Sequence, residues 1–141
     1  MPFSSYLEVA EKLLVTTVSG VVTDEELWAH QNKLLKNHIY EVPQFELVDT
    51  RSVESWQISS AGQCQLALIV QHFEEQMRGL RVAMVAKTQH IYGMFRMWEL
   101  QRENLDYKVK VFRYYDQACQ WLGVPSIRQQ PHASCFSSTE L

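Results

Sequence analysis

The first twenty residues hold two stretches rich in Val, Leu, Thr and Tyr, divided by the polar patch Ala10-Glu11-Lys12. This pattern predicts two short strands joined by a turn, the second ended at Val18 and broken by Ser19-Gly20. Thr23-Asp24-Glu25-Glu26 then opens a helix: Thr23 caps, Glu26 stands at the capping-box position, and the acidic first turn suits the positive end of the helix dipole. Leu27, Trp28, Leu34 and Leu35 share one face of this helix, which should run to about Asn37 before Pro43 bars further helix. Residues 45–53 read as the next strand, with Phe45, Leu47 and Val48 apolar and Asp49 and Arg51 at its C-terminal end.

Ser59-Ser60 offers a second N-cap, after which Leu66, Ile69, Val70, Phe73 and Met77 recur at helical spacing until Gly79 stops the helix. LRVAMVA at 80–86 is apolar on both pleat faces, as a central parallel strand is. A third helix is expected over 89–104. In the following YKVKVFRY, Tyr107, Val109 and Val111 alternate with Lys108 and Lys110, which predicts a half-exposed edge strand guarded by its lysines. Asp116 caps a last short helix holding Ala118, Trp121 and Leu122, ended by Gly123 and Pro125. The resulting order, ββαβαβαβα, calls for an α/β fold: a mixed, mostly parallel five-stranded sheet covered by four helices. Residues 1–125 form one domain in this reading, and the polar stretch 126–141 is a C-terminal tail outside it.

Composition narrows the function. With 46% hydrophobic and 21% charged residues the chain is of ordinary globular type. Thirteen Lys and Arg against sixteen Asp and Glu leave a net charge of −3, which argues against a nucleic-acid partner. The N-terminus lacks the basic and apolar regions of a signal peptide. The densest apolar run, LALIV at 66–70, falls far short of the ~20 residues of a membrane span. Cys64, Cys119 and Cys135 are odd in number and have no metal-type spacing, so the expectation is a soluble cytoplasmic protein with reduced thiols.

The pieces VSGVVTDEEL (18–27), LVDTRSV (47–53), RVAMVA (81–86), YGMFRMWE (92–99) and VKVFRYYDQACQWLG (109–123), taken in this order, resemble the STAS-like domains of the SpoIIAA-like family, which are related in fold to bacterial anti-sigma-factor antagonists. The resemblance spans most of residues 5–125 and implies a mixed sheet with packed helices in a small bacterial domain. Antagonists of this kind carry a phosphorylatable Ser in an Asp-Ser-Ser-Gly sequence at the start of the helix after the third strand. The corresponding stretch here is Gln57-Ile58-Ser59-Ser60-Ala61-Gly62, without the Asp. Ser59 and Ser60 are therefore either phosphate acceptors at a helix N-terminus or plain caps, the second being the usual role of serine there. The fold also resembles the CRAL-TRIO lipid-binding type, in which a cavity opens beneath helices.

Direct signs of chemistry are few. Asp49 and Arg51 lie where ligands bind in open α/β sheets, yet an Asp–Arg pair pinning the loop is the simpler role. The five histidines, His30, His38, His72, His90 and His132, show no metal-binding spacing, and no cofactor motif or nucleophile elbow occurs, so no metal or cofactor is expected. His72 beside Glu75 or Gln76 reads as a solvated face. Cys64 and Cys119 read as small helix residues among apolar neighbours. The third helix stands out. Ile91, Phe95, Trp98 and Leu105 form a buried stripe, while Tyr92, Met94 and Met97 leave apolar groups outside it. That excess implies a contact surface or the wall of an apolar cavity. Two functions follow: a non-enzymatic regulatory or protein-interaction module, homodimeric through the helix at 89–104, or a carrier or sensor of a small apolar ligand or lipid held between helices and sheet. Tyr92, Met94, Phe95, Met97 and Trp98 are the surface or cavity residues in either case, and Asp49, Arg51, Ser59 and Ser60 the polar-rim candidates.

Overall fold

The alternation in the first 23 residues folds back on itself as a hairpin of β1 (Phe3–Glu8) and β2 (Leu13–Thr23), paired antiparallel from Phe3 opposite Val18 to Glu8 opposite Leu13. Lys12 takes a left-handed φ of 53° at the turn, and its carbonyl accepts from the amides of Gln44 and Phe45, which ties the hairpin to the start of the next strand. The computed structural model describes residues 2–37, 43–72, 74–101, 107–124 and 135–137. After the hairpin come α1 (Asp24–Lys36), β3 (Phe45–Gln57), α2 (Ser60–His72), a 3-10 turn (Glu74–Met77), β4 (Arg81–Val85), α3 (Gln89–Gln101), β5 (Lys108–Phe112), α4 (Tyr115–Leu122) and β6 (Cys135–Ser137).

The sheet order is β5-β4-β3-β2-β1-β6, with β2 to β5 parallel and β1 antiparallel to both β2 and β6. From β2 to β5 every crossover steps one strand in the same direction. Right-handed crossovers then put α1, α2 and α3 on one face, and α4, which follows the last parallel strand, covers the other. The cores agree. Leu14, Leu34, Leu35, Val70, Val82 and Val109 pack on the three-helix face, whereas Leu13, Val15, Leu47, Ala83 and Val85 pack against Ala118, Cys119 and Leu122 of α4. Alternate residues of each strand thus serve opposite layers.

The α/β class, the element order and the mixed sheet match the sequence reading, with differences that have local causes. The chain does not break at Ser19-Gly20. β3 spends thirteen residues alongside the eleven of β2, and the pairing slips between Thr17 and Ser19 and again between Gly20 and Val21. The extra residues at both slips lie in β3, Thr50-Arg51 opposite Val18 and Glu54 beside Gly20, and β2 runs through Gly20 at φ 72° where an end was expected. β3 accordingly continues past Val53 to Gln57. The helix at 60 ends at His72, and Met77 belongs to the separate 3-10 turn before Gly79 (φ 78°). Tyr114, not Asp116, holds the cap position of α4, and Asp116 sits in the first turn, where its charge favours the dipole. β6 adds a short strand from the tail to the β1 edge. Residues 102–104 of the third expected helix, Phe73, Leu105, His38, His132 and most of the tail lie outside the described residues.

Candidate functional site

Between the three-helix face and the sheet lies a cavity of about 120 Å3. Its floor is made by the inward residues of neighbouring strands, Thr16 and Val18 of β2, Glu46 and Val48 of β3, Val82 and Met84 of β4. Leu27 and His30 of α1, Leu66 and Val70 of α2, and Met94, Phe95 and Trp98 of α3 form the walls. Trp56, near the end of β3, packs edge-on against Phe95 with ring centroids 5.2 Å apart. A void of this size fits a few waters or one small organic molecule.

The lining is mostly apolar; its polar members are the buried Glu46, Gln31, Gln63 and a small polar group around His30. The Ser5 hydroxyl bonds Thr16 Oγ1 at 2.8 Å and meets His30 Nε2 at 3.4 Å, while Phe3 stacks on the imidazole at 4.5 Å and 14°. His30 is 3% exposed; burial, reinforced by the Lys33 ammonium, lowers its pKa to about 4 and keeps the ring neutral at pH 7. Among the described residues, His30 Nδ1 and Trp56 Nε1 are buried with no hydrogen-bond partner. Such an atom costs roughly 1–3 kcal/mol when left dry and unpaired. Neither residue was singled out from sequence as a site. The signal for His30 was its place between Leu27 and Leu34 on the buried face of α1; Trp56 gave none, because the bulges that extend β3 are not legible as a pattern.

The third helix divides between two environments. Met94, Phe95 and Trp98 border the cavity, Tyr92 packs near Ile91 and Val111 with the Arg113 guanidinium 5.7 Å from its ring centroid, and Met97 turns out to solvent. Met97 is 63% exposed and Leu100, one turn away on the same side, 56%.

Asp49 and Arg51 stand at the end of the β3–β4 pairing, where Asp49 is opposite Val85 and the next residue, Thr50, donates to the Val85 carbonyl at 2.7 Å. The Asp49 carboxylate, 1% exposed, accepts from Arg51 Nε (2.9 Å), Nη2 (2.8 Å) and backbone N (3.0 Å). The guanidinium lies 4.6 Å from the Tyr115 ring centroid. The hydrogen bond to Asp49 raises the Arg51 pKa, and burial raises that of Tyr115. Arg51 also borders a shallow cleft with Lys87 and Arg113 on the α4 side, away from the cavity.

Ser59 precedes the first residue of α2. Its hydroxyl accepts from Gly62 N (2.9 Å) and donates to Asp24 Oδ2 (2.6 Å), and its amide donates to Asp24 Oδ1 (2.9 Å). A cap is what this geometry describes. A phosphate on Ser59 would replace the donating hydroxyl and set two anions side by side. Ser60 is the first helical residue and exposed. Cys119 is buried on the sheet-facing side of α4, but Cys64 is exposed, because α2 turns that position away from the sheet. Among the described residues no three His, Cys, Asp or Glu side chains gather as a metal site requires, and no helix is long and apolar enough to cross a membrane.

No family model matches the sequence, and none of the curated proteins does. Solved structures share the architecture. The anti-sigma factor antagonist SpoIIAA in its unphosphorylated form matches with a TM-score of 0.55 and 9% identity over 86% of this chain and 97% of its own. An uncharacterized protein of the DUF3478 family with a SpoIIAA-like fold, from Shewanella loihica, matches with a TM-score of 0.51 and 20% identity over 78% of this chain and 83% of its own. The strand order, the three-helix face and these likenesses agree: the chain has the SpoIIAA-like, STAS-type fold.

Proposed function

We propose that this chain is a non-enzymatic regulatory module of STAS type that carries or senses a small, mainly apolar molecule held between the sheet and helices α1 to α3. The observation that carries this reading is the cavity of about 120 Å3, bordered by mostly apolar side chains from all three helices. The non-enzymatic part rests on Asp49, the buried carboxylate at the sheet end, whose oxygens are engaged by Arg51. A cytoplasmic setting, in which the exposed Cys64 thiol stays reduced, goes with the reading. Native mass spectrometry of protein purified from its own cells is the test. A co-purifying small molecule that is lost on mild denaturation supports the reading; protein of bare chain mass, together with no thermal shift from a panel of small apolar compounds, defeats it.

Homodimerisation through the outer side of α3 is a second reading, favoured by the neighbouring exposed side chains Met97 and Leu100. Met97→Glu should convert a dimer to a monomer in light scattering, and a wild-type monomer at high micromolar concentration would end the idea. Since Met97 lies outside the cavity lining, the two readings can be tested separately.

A further inference from the structure

We infer that the cleft at the carboxyl ends of β3, β4 and β5 is a second ligand site, which binds the phosphoryl dianion of a small phosphate monoester through Lys87 and Arg113. It lies outside the apolar cavity and does not depend on what occupies that space.

The fold makes this cleft before any charge is considered. β4 and β5 are parallel neighbours, but the chain leaving β4 enters α3 on the three-helix face, and the chain leaving β5 enters α4 on the opposite face. The two connections part at adjacent strand ends and leave a crevice between them, the place where open α/β sheets take small molecules. It measures about 590 Å3 and is lined by Arg51 and Ser52 of β3, Lys87 just beyond β4, and Arg113, Tyr114 and Tyr115 where β5 passes into α4.

Charge then decides what fits. Three of the thirteen Lys and Arg residues line this one crevice in a chain of net charge −3. Asp49 answers Arg51, and Asp116, in the first turn of α4, adds a second carboxylate whose field reaches that guanidinium. Lys87 and Arg113 have no carboxylate partner among the described residues. Arg113 Nη2 donates to the Lys87 carbonyl at 3.1 Å, and the guanidinium lies 5.7 Å from the Tyr92 ring centroid, so the head is positioned without being neutralised. Both side chains are exposed, and an anion in solution reaches them without displacing a buried group. Two unanswered cations match a phosphoryl dianion, and a guanidinium beside an ammonium offers charge-assisted donors for its oxygens. The exposed Tyr114 and Ser52 border the rest of the cleft, where the organic part of the ester lies.

The test titrates the full chain with phenyl phosphate, inorganic phosphate and sodium chloride at equal ionic strength, read by backbone amide resonances. At about pH 7.5 the phosphoryl group, with its second pKa near 6, is mostly dianionic. The expected result is saturable movement of the resonances of Ser52, Lys87 and residues 113–115 with both phosphates and none with chloride, phenyl phosphate binding the tighter. The double variant Lys87→Gln/Arg113→Gln should lose at least tenfold in affinity. Lys36→Gln/Arg78→Gln, which removes the same charge from exposed positions outside the cleft, should stay within twofold. Arg51 is left in place because it holds the buried Asp49. Movement with chloride equal to that with phosphate, or equal losses in the two double variants, would reduce the effect to general screening and overturn the inference. Inorganic phosphate binding as tightly as phenyl phosphate overturns the monoester in favour of the free ion. The comparison of the three salts on the native protein decides the matter even where a variant fails to fold, and none of these outcomes bears on the cavity.

Discussion

His30 is a histidine that the fold holds neutral. Its ring is buried beside Phe3 and near the Lys33 charge, and its pKa falls from 6.5 to about 4. Between these two values the unfolded chain binds a proton that the folded chain refuses, so stability rises with pH across that window. The contribution is complete above pH 6.5 and is lost as pH falls toward 4, by about 3 kcal/mol at ~1.4 kcal/mol per pKa unit. Urea midpoints at pH 7, 5.5 and 4.5 should fall steeply for the native protein and less steeply for His30→Gln. Equal slopes for the two proteins would show that the acid sensitivity comes from another group. The residue scale is also where sequence was least informative. The order of Asp49 and Arg51 was readable, and so was their place at a strand end. That β3 bulges at Thr50-Arg51, where Arg51 grips Asp49 with its own amide as well as its guanidinium, was not, since bulges arise from pairing between strands and leave no period in either one.

Between elements, the decisive joint is that of α1 with α2. Asp24, first residue of α1, accepts from both the amide and the hydroxyl of Ser59, and Trp28 one turn on donates to the Gly62 carbonyl at 3.1 Å. Gly62 is needed for space here: a Cβ on it would lie 2.2 Å from Asp24 Oδ1. Gly62→Ala should therefore destabilise the protein by roughly 1–2 kcal/mol, the loss of the Asp24 bonds outweighing a helix-propensity gain of at most about 1 kcal/mol. In an Asp24→Ala background the obstacle is gone and the same Gly62→Ala change should stabilise. Denaturant unfolding of the four proteins in this cycle measures the reversal, and additive effects would refute the steric account. The helices themselves were legible because Thr23 with Glu26 and the 27-34-35 stripe are local signals; the contact of Asp24 with Ser59 joins residues 35 apart and has no local signature. The extent of β2 and β3 was not legible for a similar reason, Gly20 having the same appearance inside a continuing strand as in a turn.

At the scale of the whole molecule the two faces of the sheet are packed unequally, and β4 lets them be compared within one strand. Ala83 faces α4 and is wholly buried against Leu47, Val85 and Cys119, whereas its neighbour Val82 faces the cavity floor beside Val48 and Met84. Added methylenes meet different surroundings at these adjacent positions. Ala83→Val has no space to enter and should cost about 1–3 kcal/mol by overpacking. Val82→Ile places its extra carbon toward the void and should be neutral or stabilising by up to ~0.8 kcal/mol, the value of one buried methylene. Were the cavity merely loose packing of no functional consequence, filling it would raise stability and change nothing else. Under the ligand-binding reading, Val82→Ile or the bulkier Val82→Phe should raise or hold the unfolding temperature while weakening the binding of small apolar compounds, a stability gain opposed by a loss of function. If Val82→Ile destabilises as much as Ala83→Val, the three-helix face is as full as the α4 face, and the cavity reading loses its physical basis.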